Sequence, residues 1–235
     1  MKKPLFRFKQ FDVAHDQCAM KVNTDGVLLG AWAEVSDAKS ILDIGTGTGV
    51  IALMLAQRNS EAIIDAIDID KDACKQAREN FKQSKWSEQL NVFHSPLQGF
   101  TPGKKYDAII SNPPYFIDDF KTGNPQKDIA KHSVALSYGQ LIVGISQLLS
   151  EEGKVFLVLP SFQYSKIETI AGRENLFITK AAEVIAVEGK PPYLLLVQLE
   201  RSKKQFSKER VTIQNSDGNF TDEYKLLTKE FYLKF

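Results

Sequence analysis

Residues 40–45 (Ser-Ile-Leu-Asp-Ile-Gly) form a short apolar run that turns through Thr46, Gly47, Thr48 and Gly49 straight into a helical stretch ending at Arg58. So short a joint favours a strand-turn-helix unit, because glycine tolerates the left-handed backbone that a tight turn needs. The pattern repeats along the chain. Residues 62–69, 90–94, 106–111 and 153–160 read as strands by length and flanks. Residues 71–83 read as a helix with Ala73, Ala77 and Phe81 on one face, and Leu141, Ile145, Leu148 and Leu149 stripe another. Residues 161–173 read as helix, and 177–187 and 193–200 as two further strands.

Alternating strands and helices predict parallel pairing with right-handed crossovers, hence an α/β, doubly wound, Rossmann-like sheet. The link Gly189-Lys190-Pro191-Pro192 is too short for a crossover, so the final strand pair should be antiparallel. The core so defined spans residues 40–200. Outside it lie a front segment, 1–39, and a tail, 201–235, with a strand-like piece at 211–214 and a helix-like piece at 221–233.

The chain has 235 residues, 43% hydrophobic and 25% charged, which suits one sizeable domain without long disorder. The longest uncharged stretch, 132–150, is too rich in Ser and Gln to span a membrane. Arg7, Lys9 and Asp12 interrupt any secretory apolar region. Cys18 and Cys74 cannot frame a disulfide scaffold and read as small buried hydrophobes. His15, His94 and His132 are too scattered for a metal site, so no metal is expected. A cytoplasmic chain is the reading; the sequence does not fix the oligomeric state, and a monomer is favoured.

Net charge is +1, but its distribution is uneven. Residues 1–9, with Lys2, Lys3, Arg7 and Lys9, sum to +4; so do residues 201–210, where Arg201, Lys203, Lys204, Lys208 and Arg210 face one acid, Glu209. Basic ends suit an anionic polymer if they fold to one side, and Lys3, Lys9, Lys203 and Lys204 are the candidate contacts. The plainer alternative is two solvated charge runs.

Three features carry chemistry. Asp43-Ile44-Gly45-Thr46-Gly47-Thr48-Gly49 places glycines and a helix N-terminus where a doubly wound sheet opens its crevice, suiting a nucleotide-like ligand. Asp68, near the end of the second strand, can accept hydrogen bonds from both hydroxyls of a ribose; Asp70 fits better as a helix cap, and Asp65 points to the opposite face. Asn112-Pro113-Pro114-Tyr115 follows the fourth strand. Its prolines remove two donors and stiffen the loop, leaving the Asn112 amide oxygen and backbone carbonyls as fixed acceptors beside an aromatic face. That set suits a planar amine, held at its N–H groups and stacked on Tyr115.

In that order these features resemble S-adenosylmethionine-dependent methyltransferases acting on planar exocyclic or amide nitrogens. The front segment, with Phe8-Lys9-Gln10-Phe11, Ala14-His15-Asp16 and residues 20–32 (Met-Lys-Val-Asn-Thr-Asp-Gly-Val-Leu-Leu-Gly-Ala-Trp), resembles bacterial tRNA (adenine-N6) methyltransferases. Those modify the adenosine beside the anticodon of a valine tRNA. The tail, with Asn219-Phe220-Thr221-Asp222-Glu223-Tyr224 and Phe231-Tyr232-Leu233, is similar too. The resemblance implies that Asp43, Gly45, Thr46, Gly47 and Asp68 hold the cofactor, with Thr24, Asp25 and Gly26 closing over it. One departure concerns the cofactor's adenine. Many relatives meet it with an aspartate after the third strand, whereas here Ser95-Pro96-Leu97 leaves the backbone or Ser95 to do so. The implied chemistry is direct displacement, with Asn112 and the Pro113 carbonyl holding the amine and Tyr115 clamping the base. A glutamine-N5 protein methyltransferase and a non-catalytic RNA-binding module of the same fold are the alternatives; an intact Asn112 and glycine turn speak against the second.

Overall fold

A computed structural model describes residues 4–18, 20–113 and 136–235. The chain opens with a hairpin, β1 (Leu5–Arg7) and β2 (Asp12–Ala14), followed by α1 (Thr24–Trp32). Then come β3 (Ser40–Ile44), α2 (Val50–Arg58), β4 (Ile63–Asp68), α3 (Lys71–Gln83), β5 (Leu90–His94) and β6 (Tyr106–Ser111). Beyond these lie α4 (Tyr138–Leu148), β7 (Leu149–Pro160), α5 (Tyr164–Arg173), β8 (Phe177–Val187), β9 (Leu194–Glu200), β10 (Ser207–Gln214) and α6 (Asp222–Thr228).

Eight of the described strands form one sheet in the order β10-β8-β9-β7-β6-β3-β4-β5. All neighbours pair parallel except β9, which runs antiparallel to both β7 and β8. The doubly wound sheet and its antiparallel final pair therefore stand as the alternation and the short link predict. Side-chain alternation sorts the core into two layers. Ile41, Ile110 and Phe156 pack with α1 and α2 on one face. Leu42, Ile109 and Leu157 pack with α4 and α5 on the other.

The ends of the chain differ from the sequence reading. The tail strand begins at Ser207 and pairs parallel with β8, so it extends the central sheet. The tail helix stops at Thr228, whose hydroxyl bonds back to the Tyr224 carbonyl at 2.7 Å. Phe231 and Tyr232 then fold onto the front hairpin. Phe8 stacks on Tyr232, and the Lys9 amide donates to the Phe231 carbonyl at 2.8 Å. In α1, every residue from Gly26 to Trp32 is buried, so no polar face marks it as a helix in the sequence. Among the described residues no helix is long and apolar enough to cross a membrane.

Candidate active site

A cavity of about 610 Å³ opens at the C-terminal ends of β3, β4 and β6, where Gly45, Asp68 and Asn112 meet. The glycine turn forms its floor. Gly45, Gly47 and Gly49 all have positive φ, of 73°, 55° and 81°. A side chain on Gly49 would fall on the Phe81 ring, whereas beside Gly45 and Gly47 there is open space. The latter two therefore leave a cradle in which a ligand can approach the backbone. The turn is pinned by the Gly45 and Thr46 amides, which donate to the Ile67 carbonyl at 2.9 and 3.1 Å.

Asp68 is set rigidly beside this turn. One carboxylate oxygen accepts from the Gly47 amide and the other from the Asp70 amide, both at 2.9 Å. A carboxylate has about four acceptor sites, so two remain for a diol. Asp70 caps α3 by accepting from the Asp72 amide. Asp65 faces away, bound to Tyr106, Asn91 and Lys104.

Asp43 lies beneath the turn, 1% exposed and outside the cavity lining. The Thr46 hydroxyl donates to its Oδ2 at 2.7 Å, while Oδ1 has no hydrogen-bond partner. Burial pushes the carboxyl up to about 7; the Thr46 hydroxyl opposes the rise and the Asp68 charge adds to it. A half-satisfied acid under a glycine cradle suits a cationic ligand above it.

Asn112 lines the cavity, and its neighbour Pro113 is buried. The preceding residue ties the two halves of the site together: the Ser111 hydroxyl donates to the Ile44 carbonyl at 2.8 Å, across from β6 to β3. From the other side Gly26 faces the Asn112 amide at ordinary contact distance, with Asn23 the tighter neighbour. A Cβ there would lie 3.6 Å from Asn112 Nδ2 and 3.3 Å from Asn23 Oδ1. Pro114 and Tyr115 lie outside the described residues, as do Lys3 and His132.

The front segment runs from α3 to α1 along the cavity, and Cys18, Lys21 and Asn23 line it. Two buried amides of α3 hold this segment. Asn80, 2% exposed, bonds both the amide and the carbonyl of Ala14 and also reaches the Thr48 carbonyl in the glycine turn. Gln76, 0% exposed, accepts from the Gln17 amide at 3.1 Å. These partners are some sixty positions away in sequence, so no local pattern announces them.

Of the residues singled out in the sequence, Gly26, Gly45, Thr46, Gly47, Asp68, Ser95 and Asn112 line one cavity; Thr24, Asp25 and Asp43 do not. Leu97 and Gln98 stand beside Ser95 in the wall. Burial and then Asp68 push the Cys18 and Cys74 thiols up, to about 12 and about 11, so neither is an activated nucleophile.

The described residues of the basic runs do not line the cavity. Glu200 pairs with Lys154 at the start of the parallel run of β7, whereas the cavity lies at the ends of β3, β4 and β6. The reversal of β9 therefore carries Lys203 and Lys204 to the opposite end of the sheet. There Lys204 pairs with Glu200 and Lys203 lies over the Phe177 ring at 4.8 Å. Lys9 is spent on the tail, donating to the Lys229 carbonyl at 2.6 Å and to that of Phe235.

A family model described as methyltransferase small domain matches residues 19–177. The chain is 45% identical over 237 residues to the tRNA1(Val) (adenine(37)-N6)-methyltransferase of Parabacteroides distasonis, covering 100% of both. It is 42% identical to the protein of the same name from Aeromonas hydrophila, with 97% of each covered. The chain belongs to this methyltransferase family. A solved predicted O-methyltransferase from Agrobacterium tumefaciens shares the fold at a TM-score of 0.66 and 15% identity, covering 88% of this chain and 96% of that one. The family resemblance read from the sequence is thus established along the whole length.

Proposed function

We propose that this methyltransferase transfers a methyl group from S-adenosylmethionine to the exocyclic N6 amine of an adenosine in tRNA, at position 37 beside the anticodon of a valine tRNA. The supporting observation is the meeting of Asn112 with the glycine cradle and Asp68 in one cavity. When bound, S-adenosylmethionine supplies a methyl already activated on a sulfonium centre. Asp68 would take the ribose diol on its two remaining acceptor sites. Gly45 and Gly47 would let the cofactor's backbone-facing edge approach, and Asp43 would place negative charge beneath a cation. Thr24, Asp25 and Gly26 would close the site through α1, and Ser95 with the adjoining backbone would meet the adenine.

The residues around Asn112 then have one task, alignment. The Asn112 amide oxygen and the Pro113 carbonyl would accept the N–H groups of the amine, turning its lone pair into the cavity. They also stabilise the positive charge that grows on nitrogen. The bond from Ser111 to Ile44 fixes that acceptor against the glycine turn, which is the alignment a displacement needs. Pro114 and Tyr115 would complete the grip on a flipped-out base. With tRNA as partner, the compartment is the cytoplasm.

Incubating the protein with labelled S-adenosylmethionine and a valine tRNA transcript tests this. Label recovered as N6-methyladenosine supports it. Label found on a protein glutamine, with tRNA untouched, favours the glutamine-N5 alternative instead.

A further inference from the structure

We propose that the cationic outer face of α3, with the cleft beside edge strand β5, is the surface on which the tRNA sugar-phosphate backbone docks. This rests on the tRNA reading above. Lys71, Lys75, Arg78 and Lys82 are all exposed and recur every three or four residues along α3, which puts them on one face. The Cβ atoms of neighbouring members are then about 5–6 Å apart, and the row extends about 16 Å along the helix.

Several other surface cations of the chain are matched. Lys180 pairs with Glu34 and Glu209, Lys208 and Arg210 with Glu183, and Lys204 with Glu200. Among the described residues, no carboxylate comes within ion-pair distance of any of the four cations on α3. The helix offsets this row only in part: Asp72 and Glu79 lie three or four residues from Lys75 and Lys82, which leaves a formal +2 over Lys71–Gln83. Like charges at this spacing repel, and Lys71 stands at the positive end of the helix dipole. An arrangement with that excess of positive charge fits an external polyanion.

Position supports the same occupant. Asp70, the cap of α3, lines the cofactor cavity, so the row starts at the rim of the site and leads away from it. Farther along, Arg78 and Lys82 line a cleft of about 380 Å³ against β5, together with Phe93, a 42% exposed aromatic ring. Cations beside an exposed ring are what a nucleic-acid strand meets, phosphates on the first and a base face on the second.

The test compares tRNA binding by the parent, by Lys75→Glu with Lys82→Glu, and by Lys203→Glu with Lys204→Glu, across several salt concentrations. The α3 variant should bind a valine tRNA transcript at least about tenfold more weakly and flatten the salt slope by about two, one for each contact removed. Its S-adenosylmethionine affinity should match the parent's, and Lys75→Arg with Lys82→Arg should restore the slope. The Lys203 and Lys204 variant should keep the parental slope. An α3 variant with parental slope and affinity, in a parent that methylates tRNA, overturns the docking surface alone. A parent that neither binds nor methylates tRNA overturns the functional reading and the docking surface with it.

Discussion

Asp43 and Asp65 are buried aspartates on adjacent strands of one sheet, yet their surroundings drive them in opposite directions. At Asp43 burial dominates, and one carboxylate oxygen finds no partner. At Asp65 burial also favours the neutral form, but Lys104, Tyr106 and Asn91 outweigh it and hold the carboxyl below its ordinary range. The two lie one register step apart on opposite faces, Asp43 opposite Ala66 and Asp65 opposite Leu42, so their partners make the difference. A similar contrast separates the two ends of the sheet. The cavity end keeps polar groups unspent: Asp43 Oδ1, two acceptor sites on Asp68, and the Asn112 amide. The opposite end closes its polar groups on one another, as at Glu200, where Thr179, Gln198 and Lys204 all donate to the carboxylate. Burial alone therefore does not mark a functional acid; an unfinished set of partners does.

The largest effects should come from the two aspartates themselves. Asp43 rises from 3.8 to about 7 on folding, so the native state holds a proton that the unfolded chain has released. Stability should fall as pH climbs through that window, by about 4 kcal/mol, and level off above it. Asp43→Asn should abolish the fall, as read by urea unfolding at a series of pH values. Asp65 has the opposite sign: its contribution is present above its ordinary value and lost as pH drops below it. Asp65→Ala also strands the buried Tyr106 hydroxyl and should cost about 3–5 kcal/mol at neutral pH. If both variants gave the same pH profile, the contrast between the two aspartates would fail.

Next in size is the chemical step. Asn112→Ala should slow single-turnover methyl transfer at least about a hundredfold while leaving cofactor affinity near the parent's, as for one transition-state contact. Parental rates would mean that the loop after β6 does not hold the amine. Asp68→Ala should act on binding instead, weakening S-adenosylmethionine by about 1.5–3 kcal/mol in calorimetry. Tighter binding of NAD than of S-adenosylhomocysteine by the parent would contradict the use made of this end of the sheet.

The sequence exposes the cavity end better than the rest, for physical reasons. Its strands are short apolar runs, its turn needs glycine, and its loop is stiffened by proline, so each feature is local. Lys21 lines the same cavity without a chemical signature of its own, and Asn23 shows locally only as the cap of α1, its side chain accepting from the Gly26 amide. The front segment they belong to is held by Gln76 and Asn80, whose pattern on α3 shows only that they share the buried face. α1 escapes the helical period because it is buried all round. The place of Lys203 and Lys204 is a different case. The four-residue link that predicts an antiparallel β9 also implies that its far end points away from the cavity, so charge alone does not say at which end of the sheet these lysines stand.

The smallest effect should come from that far end. Lys204 pairs with Glu200, but its side chain is 54% exposed, and an exposed partner contributes at most about 1 kcal/mol. Glu200 keeps the Thr179 hydroxyl at 2.8 Å and the Gln198 amide at 2.9 Å after Lys204 is removed, so its charge is not stranded. Lys204→Ala should therefore lower stability by less than about 1 kcal/mol, and the cavity, at the other end of the sheet, should bind S-adenosylmethionine as before. Thermal unfolding and calorimetry on the one variant measure both quantities. A loss as large as that from Asp65→Ala would show that Thr179 and Gln198 cannot hold the carboxylate by themselves. A loss of cofactor affinity would show that the two ends are coupled through the strands between them.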